Sequence, residues 1–239
     1  MVNFPEDADF GIHIGGIFNN KNTCDNSIYD EVKQTLQLSK VPFLALPANS
    51  DWCLCSNPVD ALESWRSSLG TLDTTWEKST ISSGMSPLMR QAERPENFAF
   101  VSKKTLIIGL NIVENYVLHG DTIQGAQDND NLNWTRFNLQ LHQDTFNAII
   151  ILGHAAPTIS QYEGYFHHIS KLFQSEMPNT PILYVHSGNQ YNEKKNIYTP
   201  YSGMKINLQA AFVGSSENTN PLKVSVQISN ENKPKFSLN

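Results

Sequence analysis

The chain has 239 residues, of which 39% are hydrophobic and 17% are charged, and its formal net charge is −6. This composition is typical of a folded domain with a sizeable core, and it argues against wholesale disorder. The negative charge and the lack of any Lys and Arg cluster argue against a nucleic-acid partner.

No run of about 18 apolar residues is present, so the sequence predicts no transmembrane helix. The acidic start, MVNFPEDADF, has neither the basic region nor the apolar stretch of a signal peptide. These features leave the compartment of the protein open.

The first part of the chain predicts two strand–helix pairs. An apolar strand over residues 9–17 precedes a helix over residues 27–39, in which apolar residues recur at helical spacing. A buried strand over residues 41–46 precedes a second helix over residues 58–69, with proline in its first turn. Residues 71–96 are predicted to be irregular because Gly and Pro interrupt them.

The middle of the chain predicts a β-hairpin and a further helix. The hairpin is formed by residues 97–101 and 105–111, which flank a short polar turn. Residues 114–131 are polar and are predicted to form a loop, and residues 134–142 are predicted to be helical.

The last part of the chain returns to alternating strands and helices. Strands are predicted at residues 148–152 and 181–186, with a helix at residues 162–174 between them. From about residue 204 apolar and polar residues alternate, which is typical of half-buried antiparallel strands. The whole order predicts one α/β domain over residues 1–239, with central mixed sheets flanked by helices and a β-rich tail.

The three cysteines, Cys24, Cys53 and Cys55, all lie in the first quarter of the chain. A single Cys-x-Cys without a second pair or a nearby histidine argues against a structural zinc site. Two interpretations remain open: either Cys24 forms a disulfide with Cys53 or Cys55, or all three cysteines are buried free thiols.

Four predicted strands end in short polar motifs, and chemistry in α/β folds collects at the carboxyl ends of strands. The motifs are Gly15-Gly16-Ile17, Ala48-Asn49-Ser50-Asp51-Trp52, Gly153-His154-Ala155 and His186-Ser187-Gly188-Asn189-Gln190. Their order and spacing resemble the calcineurin-like metallophosphoesterases over most of the chain, from about residue 9 to about residue 212. The resemblance implies a layered sandwich of sheets and helices.

In that family two cations clamp the phosphate and activate a water molecule. The resemblance places Gly16 where the family has its bridging aspartate, and Gly188 and Gln190 where it has its last two ligands. Glycine has no side-chain ligand atom, and glutamine is a poor ligand beside histidine. Ser50 stands where the family has the residue that protonates the leaving group, and a serine hydroxyl is no acid near neutral pH.

Other positions match the family motifs. Asn49, Asp51 and His154 are retained. His186, the first residue of the last motif, is a possible neighbour of the site. Two neutral ligands, Asn49 and His154, do not offset the desolvation of two divalent cations. Short polar side chains also satisfy backbone groups in tight turns, and this is the role predicted for Asn49 and Asp51. His154 is predicted to be a hydrogen-bonded histidine of a former site.

The first metal motif of the family, Asp-x-His, has no counterpart in the preferred alignment. Only eight residues precede the first predicted strand, so we expect the family's first strand to be missing. A second alignment places Gly11-Ile12-His13 on this motif and keeps His13 as a ligand. In both alignments a required aspartate has become glycine.

These substitutions predict a catalytically inactive metallophosphoesterase-like protein, a pseudoenzyme without a metal cofactor. Its predicted role is that of a structural or binding subunit in a larger assembly, with a protein partner at the former active-site rim. One alternative is a phosphoric ester hydrolase with a single Mn, Fe or Zn ion on Asn49, His154 and one more histidine. Another is a small-ligand or carbohydrate binder that uses the vacated cleft beside Asn189, Gln190 and Tyr191.

Overall fold

The structure is a computed structural model, and it describes most of the chain with gaps between segments. The described residues are 7–18, 24–76, 85–113, 123–157, 165–188, 197–200, 207–213, 221–228 and 234–238. No helix within these ranges is both long and apolar enough to cross a membrane.

The described residues form eleven strands and four α-helices. The strands are β1 Gly11–Ile14, β2 Phe43–Leu46, β3 Met89–Arg90, β4 Phe98–Ser102, β5 Thr105–Gly109, β6 Ala148–Gly153, β7 Ile182–His186, β8 Ile197–Tyr198, β9 Leu208–Phe212, β10 Val224–Ile228 and β11 Pro234–Leu238. The helices are α1 Asn26–Gln37, α2 Pro58–Ser68, α3 Ile123–Leu141 and α4 Tyr165–Glu176. Short 3-10 turns lie at Asn49–Asp51 and Leu72–Thr75.

Seven of the strands form a mixed sheet in the order β3-β4-β5-β6-β7-β9-β8. β5, β6, β7 and β9 are parallel to one another, and β3, β4 and β8 pair antiparallel with their neighbours. Every residue of β5, β6 and β7 is buried, as expected for parallel strands with both faces covered. β1 and β2 form a separate parallel pair, and β10 and β11 form an antiparallel hairpin.

Alternating side chains divide the core into layers. In β5, Leu106 and Ile108 pack with α3 and α4, whereas Ile107 packs with β1, β2 and the β10–β11 hairpin. In β2, Leu44 faces the seven-stranded sheet, and Phe43 faces α1 and α2. The described residues therefore form four layers: α1 with α2, the small sheets, the seven-stranded sheet, and α3 with α4.

The predicted α/β class, with a central mixed sheet and flanking helices, is confirmed. Three strands, β9, β10 and β11, lie in the predicted β-rich tail, but β9 joins the large sheet parallel to β7. The tail is therefore only partly antiparallel, because its first strand completes the central parallel sheet.

The prediction of a loop over residues 114–131 is wrong for residues 123–131, which form the first half of α3. Residues 114–122 lie outside the described residues. The inner face of this half of α3 is polar, so it shows no apolar periodicity. Gln127 and Asn131 are buried there, and their side-chain amides donate to the backbone oxygen of Asn111 at 2.6 and 3.1 Å.

Candidate functional site

The carboxyl ends of β1, β2, β6 and β7 meet at one edge of the molecule. β1 runs parallel to β2, and β6 runs parallel to β7, so each pair ends side by side. The two pairs are joined by Ser187, whose hydroxyl donates to the backbone oxygen of Ile14 at 2.8 Å. The backbone N–H of Gly188 donates to the backbone oxygen of His154 at 2.6 Å. The structure thus brings the described parts of all four motifs together.

Asp51 ties the loops after β1 and β2 to each other. Its side chain is fully buried and accepts three backbone hydrogen bonds, from Ala48 N at 2.9 Å, Gly16 N at 3.0 Å and Ile17 N at 2.7 Å. The hydroxyl of Ser50 lies 3.3 Å from the same carboxylate. A buried carboxylate with several N–H donors is well satisfied without a cation.

The two glycines after β1 shape this binding loop. Gly15 and Gly16 have φ angles of 68° and 84°, in the left-handed region that favours glycine. A Cβ atom on Gly15 would lie 2.3 Å from the backbone nitrogen of Ala48, so only glycine fits there. A Cβ on Gly16 would meet open space, but an aspartate would still have to adopt the disfavoured backbone conformation. The conformation that points N–H groups at Asp51 therefore favours glycine over an aspartate ligand.

The helix layer holds Asp51 from its other side. Tyr29, fully buried on α1, donates its hydroxyl hydrogen to the backbone oxygen of Asp51. Burial, and secondarily the negative charge of Asp51, raises the pKa of the Tyr29 hydroxyl, so this group remains a donor.

His13, the ligand of the second alignment, lies within β1 and pairs with Ala45 of β2. Its neighbours Ile12 and Ile14 pack toward the large sheet, so His13 faces the helix layer. Burial lowers the pKa of His13, and the charge of Asp51 opposes that shift without cancelling it. His13 is therefore a neutral interior side chain on a sheet face.

His154, after β6, is engaged by Ser187. Its Nδ1 atom lies 3.0 Å from the Ser187 hydroxyl oxygen. Because that hydroxyl donates its only hydrogen to Ile14, the Nδ1 atom of His154 must carry the hydrogen of the shared bond. Nδ1 is therefore a donor in this arrangement, and Nε2 is the ring nitrogen that keeps its lone pair.

His186, at the end of β7, is packed among aromatic rings. It is 1% exposed and stacks on Tyr184 at a centroid distance of 5.8 Å, with Phe212 at 5.6 Å. Burial, together with the nearby His154, lowers the pKa of His186 to about 4. It is neutral at physiological pH. Gln190, with Asn189 and Tyr191, lies outside the described residues.

The cysteines lie beside the same edge and decide between the interpretations left open by the sequence. Cys24 and Cys55 form a disulfide, so the free-thiol interpretation is wrong for this pair. Cys53 is a free thiol that donates to the backbone oxygen of Asn49 at 3.1 Å. Asn49 lies in the 3-10 turn, and its backbone oxygen also accepts from Leu54 N at 3.2 Å.

One buried polar cluster near this edge was not assigned a role from the sequence. It centres on Asn111, which follows β5 and donates its backbone N–H to Asn97 Oδ1 at 2.7 Å. Asn111 Nδ2 donates to Glu96, a fully buried carboxylate whose charge is paired with Arg66 of α2 at 2.7 Å. These polar residues stand next to apolar strands in the sequence. That pattern predicts that they are buried and hydrogen-bonded, but it does not identify the residues to which they bind.

The donor atoms at the described part of this edge do not fit a two-cation site. Gly16 offers no side chain, and the Asp51 carboxylate accepts backbone N–H groups, so neither residue supplies a carboxylate that would bridge two cations. Within the described ranges, no group of three or more His, Cys, Asp or Glu side chains is placed to hold a metal ion.

Comparison with protein-family models, curated proteins and solved structures gives no match. The family resemblance is therefore carried by the motifs of the chain itself.

Replacing Asp51 tests its structural role. Asp51→Asn turns one carboxylate oxygen into an NH₂ group that faces backbone donors, and we expect the free energy of unfolding to fall by about 2–4 kcal/mol. The measurement is urea unfolding followed by circular dichroism. Asp144→Asn, at an exposed position, is the matched control and should change stability by no more than about 0.5 kcal/mol. Equal stability of the two variants would contradict the role assigned to Asp51.

Proposed function

We propose that this chain is a catalytically inactive relative of the calcineurin-like metallophosphoesterases. As a pseudoenzyme it serves as a structural or binding subunit of a larger protein assembly. The observation that carries the proposal is the engagement of the Asp51 carboxylate by three backbone N–H groups. The helix–sheet–sheet–helix layering and the meeting of four motif-bearing strand ends support the family assignment.

Asp51 does not replace the bridging carboxylate that is missing at Gly16. A carboxylate that holds a cation must direct its oxygen lone pairs at the metal. Here the lone pairs receive N–H groups from the loops after β1 and β2. Hydrogen bonds to a charged group contribute about 1.5–3 kcal/mol each, so recruiting Asp51 to a metal would cost several such bonds.

The histidines support the same conclusion. A single-metal hydrolase would need His154 and a second histidine beside Asn49. His154 is oriented by Ser187 through Nδ1, so only its Nε2 atom could act as a ligand, and His186 is buried among the rings of Tyr184 and Phe212. His13 faces the helix layer from the middle of β1. Each histidine thus has a place within the folded structure.

Exposed apolar side chains beside the 3-10 turn support a protein partner. Leu54 is 40% exposed, and its backbone N–H donates to Asn49, so its side chain lies next to the former site. Val59, at the start of α2, is 61% exposed. A contiguous apolar patch marks a protein-binding surface, and Leu54 and Val59 are the exposed apolar side chains nearest this turn; the net charge of −6 disfavours nucleic acid.

Catalytic inactivity is tested with two chromogenic substrates. Purified protein is incubated with Mn²⁺, Fe²⁺ or Zn²⁺ and either p-nitrophenyl phosphate or bis-p-nitrophenyl phosphate. We expect no turnover above the metal-only background, and the same result for His154→Ala and Asn49→Ala. Turnover that needs one of these metals and disappears in His154→Ala would instead establish the single-metal hydrolase.

The assembly role is tested by size-exclusion chromatography of the tagged chain from its own cells. We expect the wild type to elute earlier than a monomer, at a larger apparent mass. The double variant Leu54→Asp with Val59→Asp should elute as a monomer. Phe137→Asp is the matched control, since Phe137 is 46% exposed but lies on α3, in the opposite outer layer. Two results would contradict a partner at this rim. One is wild-type protein that elutes as a monomer, and the other is a Phe137→Asp variant that loses the partner as completely as the double variant does.

A further inference from the structure

The three cysteines converge on the turn that holds Asp51. Cys24 and Cys55 are 31 residues apart in sequence, and the disulfide brings their Cα atoms to 5.7 Å. Cys53 also lies in this region, with its sulfur 3.1 Å from the backbone oxygen of Asn49. All three pack around a small apolar cluster that includes Trp52.

The disulfide joins the start of a helix to this turn. Cys24 directly precedes Asp25, which caps α1 by accepting a hydrogen bond from Ser27 N at 2.9 Å. Cys55 closes the turn after Asp51, because its backbone N–H donates to Trp52 at 3.0 Å. The bond therefore fixes the position of α1 relative to the turn.

The hydrogen bonds of Asp51 extend this connection to the loop after β1. Tyr29, one turn into α1, donates to the backbone oxygen of Asp51, and the Asp51 carboxylate accepts from Gly16 and Ile17. A change at the disulfide therefore reaches the loop after β1 through the turn that carries Asp51.

Helix α1 has a second, independent attachment to the protein. Tyr29 and Leu36 are buried against Phe43 and Trp65 in the core below the helix layer. Breaking the disulfide should therefore leave α1 in place and loosen only the rim of the former site.

Cys53 does not compete for the disulfide. Burial raises the pKa of its thiol to about 12, so it stays protonated at physiological pH. The thiolate is the attacking species in disulfide exchange, and a protonated thiol with a backbone partner is a poor nucleophile.

We propose that the Cys24–Cys55 disulfide is a redox-sensitive lock on the loops that follow β1 and β2. Reduction by a dithiol releases these loops while the rest of the fold is retained. Oxidation restores the arrangement in which Asp51 binds Gly16 and Ile17. This lock does not depend on whether the chain is a pseudoenzyme.

The chemistry is a two-electron thiol–disulfide exchange. A thiolate of the dithiol attacks the sulfur of Cys24, which is partly exposed, whereas Cys55 is 7% exposed. The Cys24–Cys55 bond breaks, and Cys55 leaves as a thiolate that takes up a proton. The second thiol of the reductant then attacks the mixed disulfide, so that Cys24 is released as a thiol and the dithiol is oxidised.

Amide hydrogen exchange of the full chain, with and without dithiothreitol in native buffer, tests the lock. Reduction should speed exchange at Gly16 and Ile17 by about tenfold or more, while Ile107 and Ile150 in the central sheet keep their protection. Cys24→Ser with Cys55→Ser should show the fast exchange without reductant. Cys53→Ser, the matched control, should match the oxidised wild type.

Several results would overturn the proposal. One is a disulfide that dithiothreitol reduces only in the presence of denaturant. Another is unchanged exchange at Gly16 and Ile17 after complete reduction. Failure of the double serine variant to fold would show that the bond is a permanent structural element. A peptide map that pairs Cys24 with Cys53 would remove the basis of the lock.

Discussion

The interaction on which this edge depends is the binding of the Asp51 carboxylate by backbone N–H groups of two loops. Asp51 is fully buried, and Ala48, Gly16 and Ile17 donate to its carboxylate in place of water. The donors must converge on one point, which requires the left-handed backbone of Gly15 and Gly16. The same constraint that stabilises the loop after β1 therefore favours glycine at the position where the proposed family would carry a bridging aspartate.

Two sheets meet at this edge, and a side-chain hydrogen bond joins their ends above the apolar contact between them. Ser187 links the end of β7 to the end of β1 and also fixes the ring of His154. The hydroxyl of Ser187 thus connects the ends of two strands and the loop after β6.

Much of this arrangement could be predicted from the sequence. The apolar strands ending in Gly or His identify the central sheet, and a short polar residue in a tight turn indicates the role found for Asp51. The start of α3 could not be predicted, because Gln127 and Asn131 are buried by partners distant in sequence. The disulfide partner of Cys24 also could not be chosen, since the turn around Asn49 decides whether Cys53 or Cys55 faces it.

The proposed pseudoenzyme role requires that the side chains at these strand ends hold no catalytic metal. Crystals of the protein soaked in Mn²⁺ test this directly, by anomalous scattering measured at the manganese edge. We expect no anomalous peak beside Asn49, Asp51 and His154, and we expect the Asp51 carboxylate to remain hydrogen-bonded to Gly16 and Ile17. A peak within coordination distance of Asn49 and His154 would contradict it.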